Sequence, residues 1–172
     1  MEVIRHGKVR AIVPLQDNLI LDRAIDYLLS SSSASTSSLN TRCFVGTGNT
    51  PPDKSQTGMQ GSWWWTTNTY QGPSTTTPTG PELISSRTMF YAFALGAVVG
   101  NIAEVGVSAV ASSSGLTHTR ALIKDSLGNP IVLTLTEEDQ LYVAYTVYNK
   151  YVPVHWVWHP VLLNHWKVRA FH

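Results

Sequence analysis

The segment 45–58, VGTGNTPPDKSQTG, has the outline of a phosphate-binding loop, because glycines precede a lysine and a serine. In the GxxxxGK[ST] pattern, two glycines let backbone N–H groups turn onto the phosphates, and a helix follows. Here Asp53 replaces the second glycine, Pro51 and Pro52 remove two N–H donors, and no amphipathic helix pattern follows. We therefore predict no nucleotide site. The segment is interpreted as a strand-exit loop, stiffened by prolines, that presents a rigid edge to a neighbouring subunit.

The histidines near the C-terminus are a second candidate for chemistry. His155 and His159 have an HxxxH spacing, which on a helix places two imidazoles on one face. However, Pro160 follows directly, and the segment 155–172 contains no acidic residue. Aromatic packing with partly exposed histidines is favoured over a metal site, and we predict neither a metal nor any other cofactor.

Among the carboxylates, Glu104 is unusual because it lies inside the apolar sequence NIAEVGVSAV. A buried carboxylate needs a cationic partner, which Arg120 or Arg87 could provide. We predict a structural ion pair and assign it to Glu104 and Arg120. The acidic run 137–139 is interpreted as a solvated loop. No GxSxG elbow and no recognisable acid pair is present, so no catalytic residue is predicted and the protein is not expected to be an enzyme.

Three successive tryptophans occur in the segment SWWWT. Neighbouring side chains on a strand point to opposite faces, so Trp64 must oppose Trp63 and Trp65. At least one indole then contacts something beyond its own sheet. A strand buried on both sides, a subunit interface and a carbohydrate-stacking surface remain open readings. The residues predicted to lie in an interface are Trp63, Trp64, Trp65, Tyr70, His155, Trp156, Trp158 and Trp166.

A helix is predicted over about 18–29, because apolar residues recur there with helical spacing. Asp17 or Asn18 is positioned to cap its first turn. The serine-rich segment 30–41 has little to bury and is expected to form an exposed loop.

The remaining pattern is one of short strands and turns. The predicted strands are 9–14, 43–46, 62–70, 88–95, 102–110, 119–124, 130–135 and 141–148. Residues 125–129 are expected to turn a hairpin, 71–86 to form an extended loop, and 141–148 to be covered on both faces. The prediction is a mainly β protein: an antiparallel β-sandwich-like domain over 1–150 with one N-terminal α-helix. A tail rich in aromatic residues and histidine follows over 151–172.

Composition narrows the classes of partner. The 172 residues are 43% hydrophobic but only 13% charged, which suggests a surface that partners cover. The net charge of +1 disfavours nucleic-acid binding and attraction to an anionic membrane. No secretory signal or uninterrupted membrane-spanning run is recognised, so neither membrane nor nucleic acid is an expected partner. The lone Cys43 is expected to be a buried strand residue.

Four segments together resemble small tail-associated structural proteins of tailed bacteriophages, of the adaptor, fibre-anchoring or baseplate type. The resemblance covers about 18–148. The segments are NLILDRAIDYL, CFVGTGNTPPDKSQTGMQG, FYAFALGAVVGNIAEVGVS and HTRALIKDSLGNPIVLTLTEEDQLYVAYTVY, in that order. Their most specific motifs are the VGTG loop with a downstream QTG, and the EVG strand followed by the TRALIKDxxGNP hairpin.

The resemblance implies a non-enzymatic virion component of the tail or head–tail junction, assembled in the host cytoplasm and present in many symmetric copies. Its implied partners are copies of itself, as a ring or another symmetric oligomer, and other tail or connector proteins. Two alternatives stay open: a receptor-binding tail tip and a capsid-decorating protein. Proteins of this kind often continue beyond the YTVY strand, whereas this sequence runs 24 residues past it, which favours a compact adaptor or anchoring role.

Overall fold

Antiparallel strands make up most of the computed structural model, which describes residues 1–30, 39–79, 82–109 and 114–151. Strands account for 53% and helix for 8%, and the α-helix lies near the N-terminus. The predicted fold class is confirmed. The elements in chain order are β1 Glu2–Arg5, β2 Lys8–Ile12, β3 Leu19–Ile20, α1 Asp22–Ser30, β4 Arg42–Gly46, β5 Trp63–Thr66, β6 Thr69–Thr79, β7 Glu82–Ala92, β8 Gly100–Ile102, β9 Glu104–Ser108, β10 Thr119–Leu122, β11 Leu133–Leu135 and β12 Asp139–Tyr151.

Two five-stranded sheets and one small ribbon contain these strands. Sheet A has the order β2-β1-β12-β7-β6, and sheet B has the order β3-β10-β9-β4-β5. The pair β8 and β11 forms the ribbon, and all the strand pairs are antiparallel. The edge strands are therefore β2 and β6 in sheet A, and β3 and β5 in sheet B.

The main core lies between the two sheets. Alternate residues of β4, β9 and β10 face it from sheet B, and residues of β1, β7 and β12 face it from sheet A. Cys43 is completely buried in β4, as predicted, and burial raises the pKa of its thiol. The central residues of this core are Val3, Cys43, Val45, Tyr91, Phe93, Val105, Val107, Ala121, Ile123, Leu141 and Val143.

The other face of sheet B carries a third layer, formed by α1 and the loop 47–62. The ring of Tyr27 in α1 lies 5.0 Å from the ring of His118, just before β10. Leu21 and Ala24 are fully buried at the start of the helix, whereas Ile25 and Leu29 are exposed. The predicted apolar stripe is therefore buried only in its first turn.

The helix begins later than the sequence pattern suggested. It starts at Asp22, because Leu19 and Ile20 form β3 and pair with β10. The prediction that Asp17 or Asn18 caps the helix is therefore wrong. Of the serine-rich segment 30–41, Ser30 ends α1 and residues 31–38 lie outside the described ranges.

The predicted extended loop 71–86 is wrong. Its residues form the facing strands β6 and β7, which run antiparallel from Thr69↔Tyr91 to Thr79↔Glu82. Threonine has high strand propensity, and proline is tolerated on an edge strand such as β6. Pro73 lies where the register shifts between Gln71 and Ser74, so it marks a local bulge.

The predicted hairpin at 125–129 is only partly correct. The turn is present: the Asp125 N–H donates to the Asn129 carbonyl at 2.9 Å, and Gly128 has φ of +86°. Beyond a single bridge between Lys124 and Pro130, however, the flanking strands separate. β10 pairs with β3 and β9 in sheet B, whereas β11 pairs with β8.

Two other strand predictions were too long or incompletely paired. Segments 62–70 and 102–110 each contain two strands instead of one. β12 is longer than predicted, and Leu141 and Val143 enter the core, but Tyr148 is 68% exposed. The distal half of β12 is thus not covered on both faces within the described chain.

Candidate functional site

The loop 47–62, which contains most of the segment that resembles a phosphate-binding loop, encloses the carboxylate of Glu104. This carboxylate is fully buried in β9. Three backbone N–H groups donate to it: those of Gly48 at 3.0 Å, Gln60 at 3.1 Å and Gly61 at 3.1 Å. A Cβ at Gly48 would lie only 2.5 Å from Oε1 of Glu104. The glycine is therefore required by close approach to the carboxylate. The inward N–H groups of this loop therefore bind a carboxylate of the chain itself.

Arg120 completes this cluster from β10. Its Nε donates to Oε2 of Glu104 at 2.6 Å, and both side chains are fully buried. Its Nη1 donates to Oε1 of Gln56 at 2.9 Å, and its Nη2 donates to the Thr50 carbonyl at 2.8 Å. Of the two arginines considered from the sequence, Arg120 pairs with Glu104, whereas Arg87 bonds to Gln71. The polar atoms of the pair are engaged, which suits a structural role.

The loop 47–62 is consequently organised from inside. Pro51, Asp53 and Lys54 are exposed, whereas Gly48 and Gly58 are buried, Gly48 against Glu104 and Gly58 against the backbone of 115–116. The Lys54 carbonyl accepts from the N–H of Asp22, which fixes the start of α1 to the loop. The predicted ion pair thus anchors the loop, a connection that the sequence interpretation did not make. That the loop presents a rigid edge to a neighbouring subunit stays a prediction.

Edge strand β5 carries the tryptophans. Trp64 lies opposite Val45 and packs against the main core, so its indole faces inward. Trp63 and Trp65 lie on the other face of sheet B and are 40% and 43% exposed. The alternation deduced from the sequence is thus present, and the tryptophan surface consists of Trp63 and Trp65. We call these two residues the tryptophan pair.

Arg42 lies beside the tryptophan pair. Its guanidinium carbon is 3.9 Å from the centre of the Trp65 ring, a cation–π contact. Arg42 is only 6% exposed, and its Nε and Nη1 are buried without a hydrogen-bond partner. None of the ion pairs found among the described residues includes it. A buried guanidinium with unused donors is costly, and the cation–π contact with Trp65 offsets part of that cost.

The strands β6, β7 and the distal half of β12 form a three-stranded sheet with exposed and half-buried residues. Tyr70 on β6 is exposed and stacks on Phe90 of β7, with ring centres 4.8 Å apart. Hydroxyl pairs connect the strands: Thr75 with Ser86 at 2.8 Å, and Thr88 with Thr146 at 2.9 Å. We call this region the projecting sheet. The predicted interface residue Tyr70 belongs to it and not to the tryptophan pair.

Buried polar groups away from these surfaces serve the fold. Asp139, predicted to be solvated with its neighbours, is instead buried and accepts from Arg5 at 2.9 Å and Arg10 at 2.8 Å. The Arg5 hydrogen bond leads the causes that hold the pKa of Asp139 far below its usual range. The prediction was wrong because Asp139 begins β12 and lies on the same face of the strand as Leu141 and Val143, which face the core.

His118 is the buried histidine that the sequence interpretation did not single out. Its Nδ1 accepts from the Ala109 N–H at 2.9 Å, and its Nε2 has no hydrogen-bond partner. Burial, with a smaller effect from the Arg23 charge, lowers the pKa of His118 to about 4. The imidazole is therefore neutral at pH 7. Its contact with Tyr27 makes it part of the packing between α1 and sheet B.

Four predicted interface residues lie outside the described residues: His155, Trp156, Trp158 and Trp166. Within the described ranges, no group of three His, Cys, Asp or Glu side chains could hold a metal ion. No helix in the same ranges is both long and apolar enough to cross a membrane. Comparison of the chain with protein-family models, with curated proteins and with solved structures found no match.

Proposed function

We propose that this chain is a structural protein of a tailed-bacteriophage virion, located in the tail or at the head–tail junction. In this proposal it acts as an oligomeric adaptor, connector or fibre-anchoring component through protein–protein contacts and catalyses no reaction. Its partners are copies of itself and neighbouring tail or connector proteins. The phage assignment derives from the sequence resemblance, whereas the interaction role is supported by features of the folded chain.

The observation that carries the interaction role is the tryptophan pair on an edge strand. Large indoles are enriched in protein interfaces and often contribute most of the binding energy. Strand β5 ends sheet B, and it contains neither proline nor a charged residue, two devices that commonly protect sheet edges. An exposed aromatic edge of this kind is suited to cover by another protein.

Arg42 supports the same proposal. Its guanidinium carbon lies 3.9 Å from the centre of the Trp65 ring, and its Nε and Nη1 are shielded from solvent. The contact supports one face of an indole that is itself 43% exposed, so a partner would meet a preformed apolar surface.

Self-association of the full chain tests this proposal. Sedimentation of the wild type over a range of concentrations should reveal an oligomer. The double variant Trp63→Ser with Trp65→Ser should weaken association by roughly 30-fold or more, as expected where interface residues contribute about 2 kcal/mol or more. Circular dichroism should show that the variant keeps its strands.

A matched control removes the same kind of exposed apolar surface elsewhere. Leu127, in the turn after β10, is 84% exposed, and Val132 is 57% exposed. The double variant Leu127→Ser with Val132→Ser should associate like the wild type. Equal association of wild type, tryptophan variant and control would contradict the proposed role of β5. A monomer at every concentration, which also fails to bind other tail proteins, would contradict the adaptor role.

A receptor-binding tip is the second candidate, because exposed aromatic rings also stack on sugars. Trp63, Trp65 and Tyr70 are each exposed by 40% or more. Binding of the full chain to a glycan array, abolished by the tryptophan variant and kept by the Leu127 and Val132 control, would favour the tip. Copy number separates the third alternative, because a capsid-decorating protein would be present in hundreds of copies over the shell.

A further inference from the structure

Strand β12 has an open edge that the sequence did not indicate. On one side it pairs with β7 along its length, from Tyr142↔Ala92 to Tyr151↔Leu83. On the other side β1 pairs only with residues Asp139 to Tyr142. From 143 to 151, no described strand lies on that side. An interior strand of sheet A thus becomes an edge strand for most of its length.

The backbone groups along this edge follow from the hydrogen-bond pattern. The Phe93 N–H donates to the Leu141 carbonyl, so Leu141 points its backbone groups toward β7. Since these directions alternate along a strand, Ala144, Thr146 and Tyr148 point theirs away from β7. No backbone hydrogen bond of the described chain uses these outward groups. These unpaired N–H and C=O groups could therefore form hydrogen bonds with an added strand.

An apolar groove of about 470 Å³ runs beside the open edge. One wall is the distal part of β12, and the other is the segment between β2 and β3. Leu15, Ile20 and Tyr148 are exposed where they border it. A strand that paired with Ala144, Thr146 and Tyr148 could place alternate side chains into this groove.

The segment that follows β12 has the composition of such a strand. Residues 152–163, VPVHWVWHPVLL, contain no Asp, Glu, Lys or Arg, and they are rich in valine and tryptophan. Pro153 and Pro160 limit the paired part to 154–159, because each proline lacks an N–H. Between them Val154, Trp156 and Trp158 share one face, which is the face that an apolar groove would accept.

The same segment lacks the residues needed to fold back on its own strand. Tight hairpin turns use Gly, Asn or Asp at positive φ, and between Tyr151 and Leu163 the sequence has none of them. Pro153 fixes a negative φ, and Val152 before it is directed to an extended conformation. The sequence therefore carries no signal for a hairpin back onto β12, which favours a second molecule as the partner of this segment.

We propose that residues 154–159 of one copy add as a strand to the open edge of β12 in a second copy. Val154, Trp156 and Trp158 then fill the groove of that copy. This inference rests on the proposed self-association and names the segment and the surface that produce it. It places the predicted role of the C-terminal aromatic residues at a defined strand edge, separate from the tryptophan pair.

Hydrogen exchange of the full chain tests the strand addition at single amides. At a concentration about ten times the dissociation constant, the amides of Ala144, Thr146 and Tyr148 should exchange about tenfold more slowly than in the dilute monomer. Amides that point toward β7, such as those of Val143 and Val147, should stay protected at both concentrations. Protection of the outward amides at every concentration would instead indicate docking of the segment within one chain and contradict exchange between copies.

A matched pair of variants isolates the backbone donor. Tyr148→Ala removes the side chain and keeps the N–H, whereas Tyr148→Pro also removes the N–H that points outward. Because this N–H makes no bond to β7, both variants should keep the wild-type fold by circular dichroism. Association should be at least tenfold weaker for Tyr148→Pro than for Tyr148→Ala. Equal association of the two variants would contradict strand addition at this edge.

The outcomes separate this inference from the proposed function. An oligomer whose outward amides at Ala144, Thr146 and Tyr148 exchange freely would retain self-association and overturn the strand addition. A chain that stays monomeric at all concentrations would overturn both.

Discussion

Replacing Glu104 with glutamine should be among the most damaging single changes in this chain. Glu104→Gln keeps the size of the side chain but removes its charge, so Arg120 becomes a buried cation held only by neutral oxygens of Gln56 and Thr50. Removing one member of a buried ion pair typically costs about 3–5 kcal/mol. The three N–H donors of the loop also lose a charged acceptor.

Replacing the other partner, Arg120, should cost less stability, because Glu104 keeps its hydrogen bonds from the loop. In Arg120→Met the carboxylate of Glu104 remains, and it still accepts from the N–H groups of Gly48, Gln60 and Gly61. The predicted order of stability is therefore wild type, Arg120→Met, then Glu104→Gln. The double variant should be more stable than the sum of the single losses predicts, because it leaves no unpaired buried cation.

Urea unfolding followed by circular dichroism measures these differences. With a slope of about 2 kcal/mol per M, a loss of about 3–5 kcal/mol lowers the midpoint of Glu104→Gln by about 1.5–2.5 M. The melting temperature should fall by about 6–20 °C. A Glu104→Gln variant within about 1 kcal/mol of the wild type, or one more stable than Arg120→Met, would refute the account of this loop.

Three further predictions concern other buried groups. The pKa of Asp139 is lowered, mainly by its hydrogen bond with Arg5, so its contribution to stability is present above about pH 4 and lost at lower pH. Asp139→Asn should reduce this loss of stability at low pH, as measured by urea unfolding at pH 2–5. Because the pKa of His118 is lowered to about 4, stability should fall as the pH drops from about 6.5 to about 4. His118→Gln should remove that fall and leave the loss of stability that Asp139 causes at lower pH. Gly48→Ala should lower the urea midpoint as Glu104→Gln does, because its Cβ would lie 2.5 Å from the carboxylate; an unchanged midpoint would show that the loop can yield.

The fold class could be predicted because strand signals are local. Apolar and β-branched runs between Gly, Pro and Asn clusters predicted most strands, and the alternation of Trp63, Trp64 and Trp65 was correct for the same reason. The helix was also recognised from its period. Its first residue was misplaced because Leu19 and Ile20 fit a helical pattern, and only their pairing with β10 makes them a strand.

Features that depend on long-range contacts could not be predicted in the same way. The Thr-rich stretch before β7 reads as a loop because it has little to bury, yet it pairs with β7 as an edge strand. The turn at 125–129 carries all the local signals of a hairpin, but its strands separate because β9 and β8 offer them other partners. Local signals define turns, whereas strand order is decided by the packing of the whole chain.

The sequence predicted the candidate site only where a buried charged residue requires a partner of opposite charge. Glu104 in an apolar strand demanded a cation, and one of two named arginines provides it. Arg42 and Asp139 gave no such signal, because their burial follows from strand parity and sheet order. The open edge of β12 was equally invisible, since it exists only because β1 is shorter than β12.

The position of this chain in an intact phage particle tests the central claim most directly. Electron cryomicroscopy of purified particles should show its density as a symmetric set of copies at the tail or head–tail junction, with Trp63 and Trp65 covered by a neighbouring chain. Absence of the chain from purified particles, or copies spread over the capsid with Trp63 and Trp65 exposed to solvent, would contradict the proposed function.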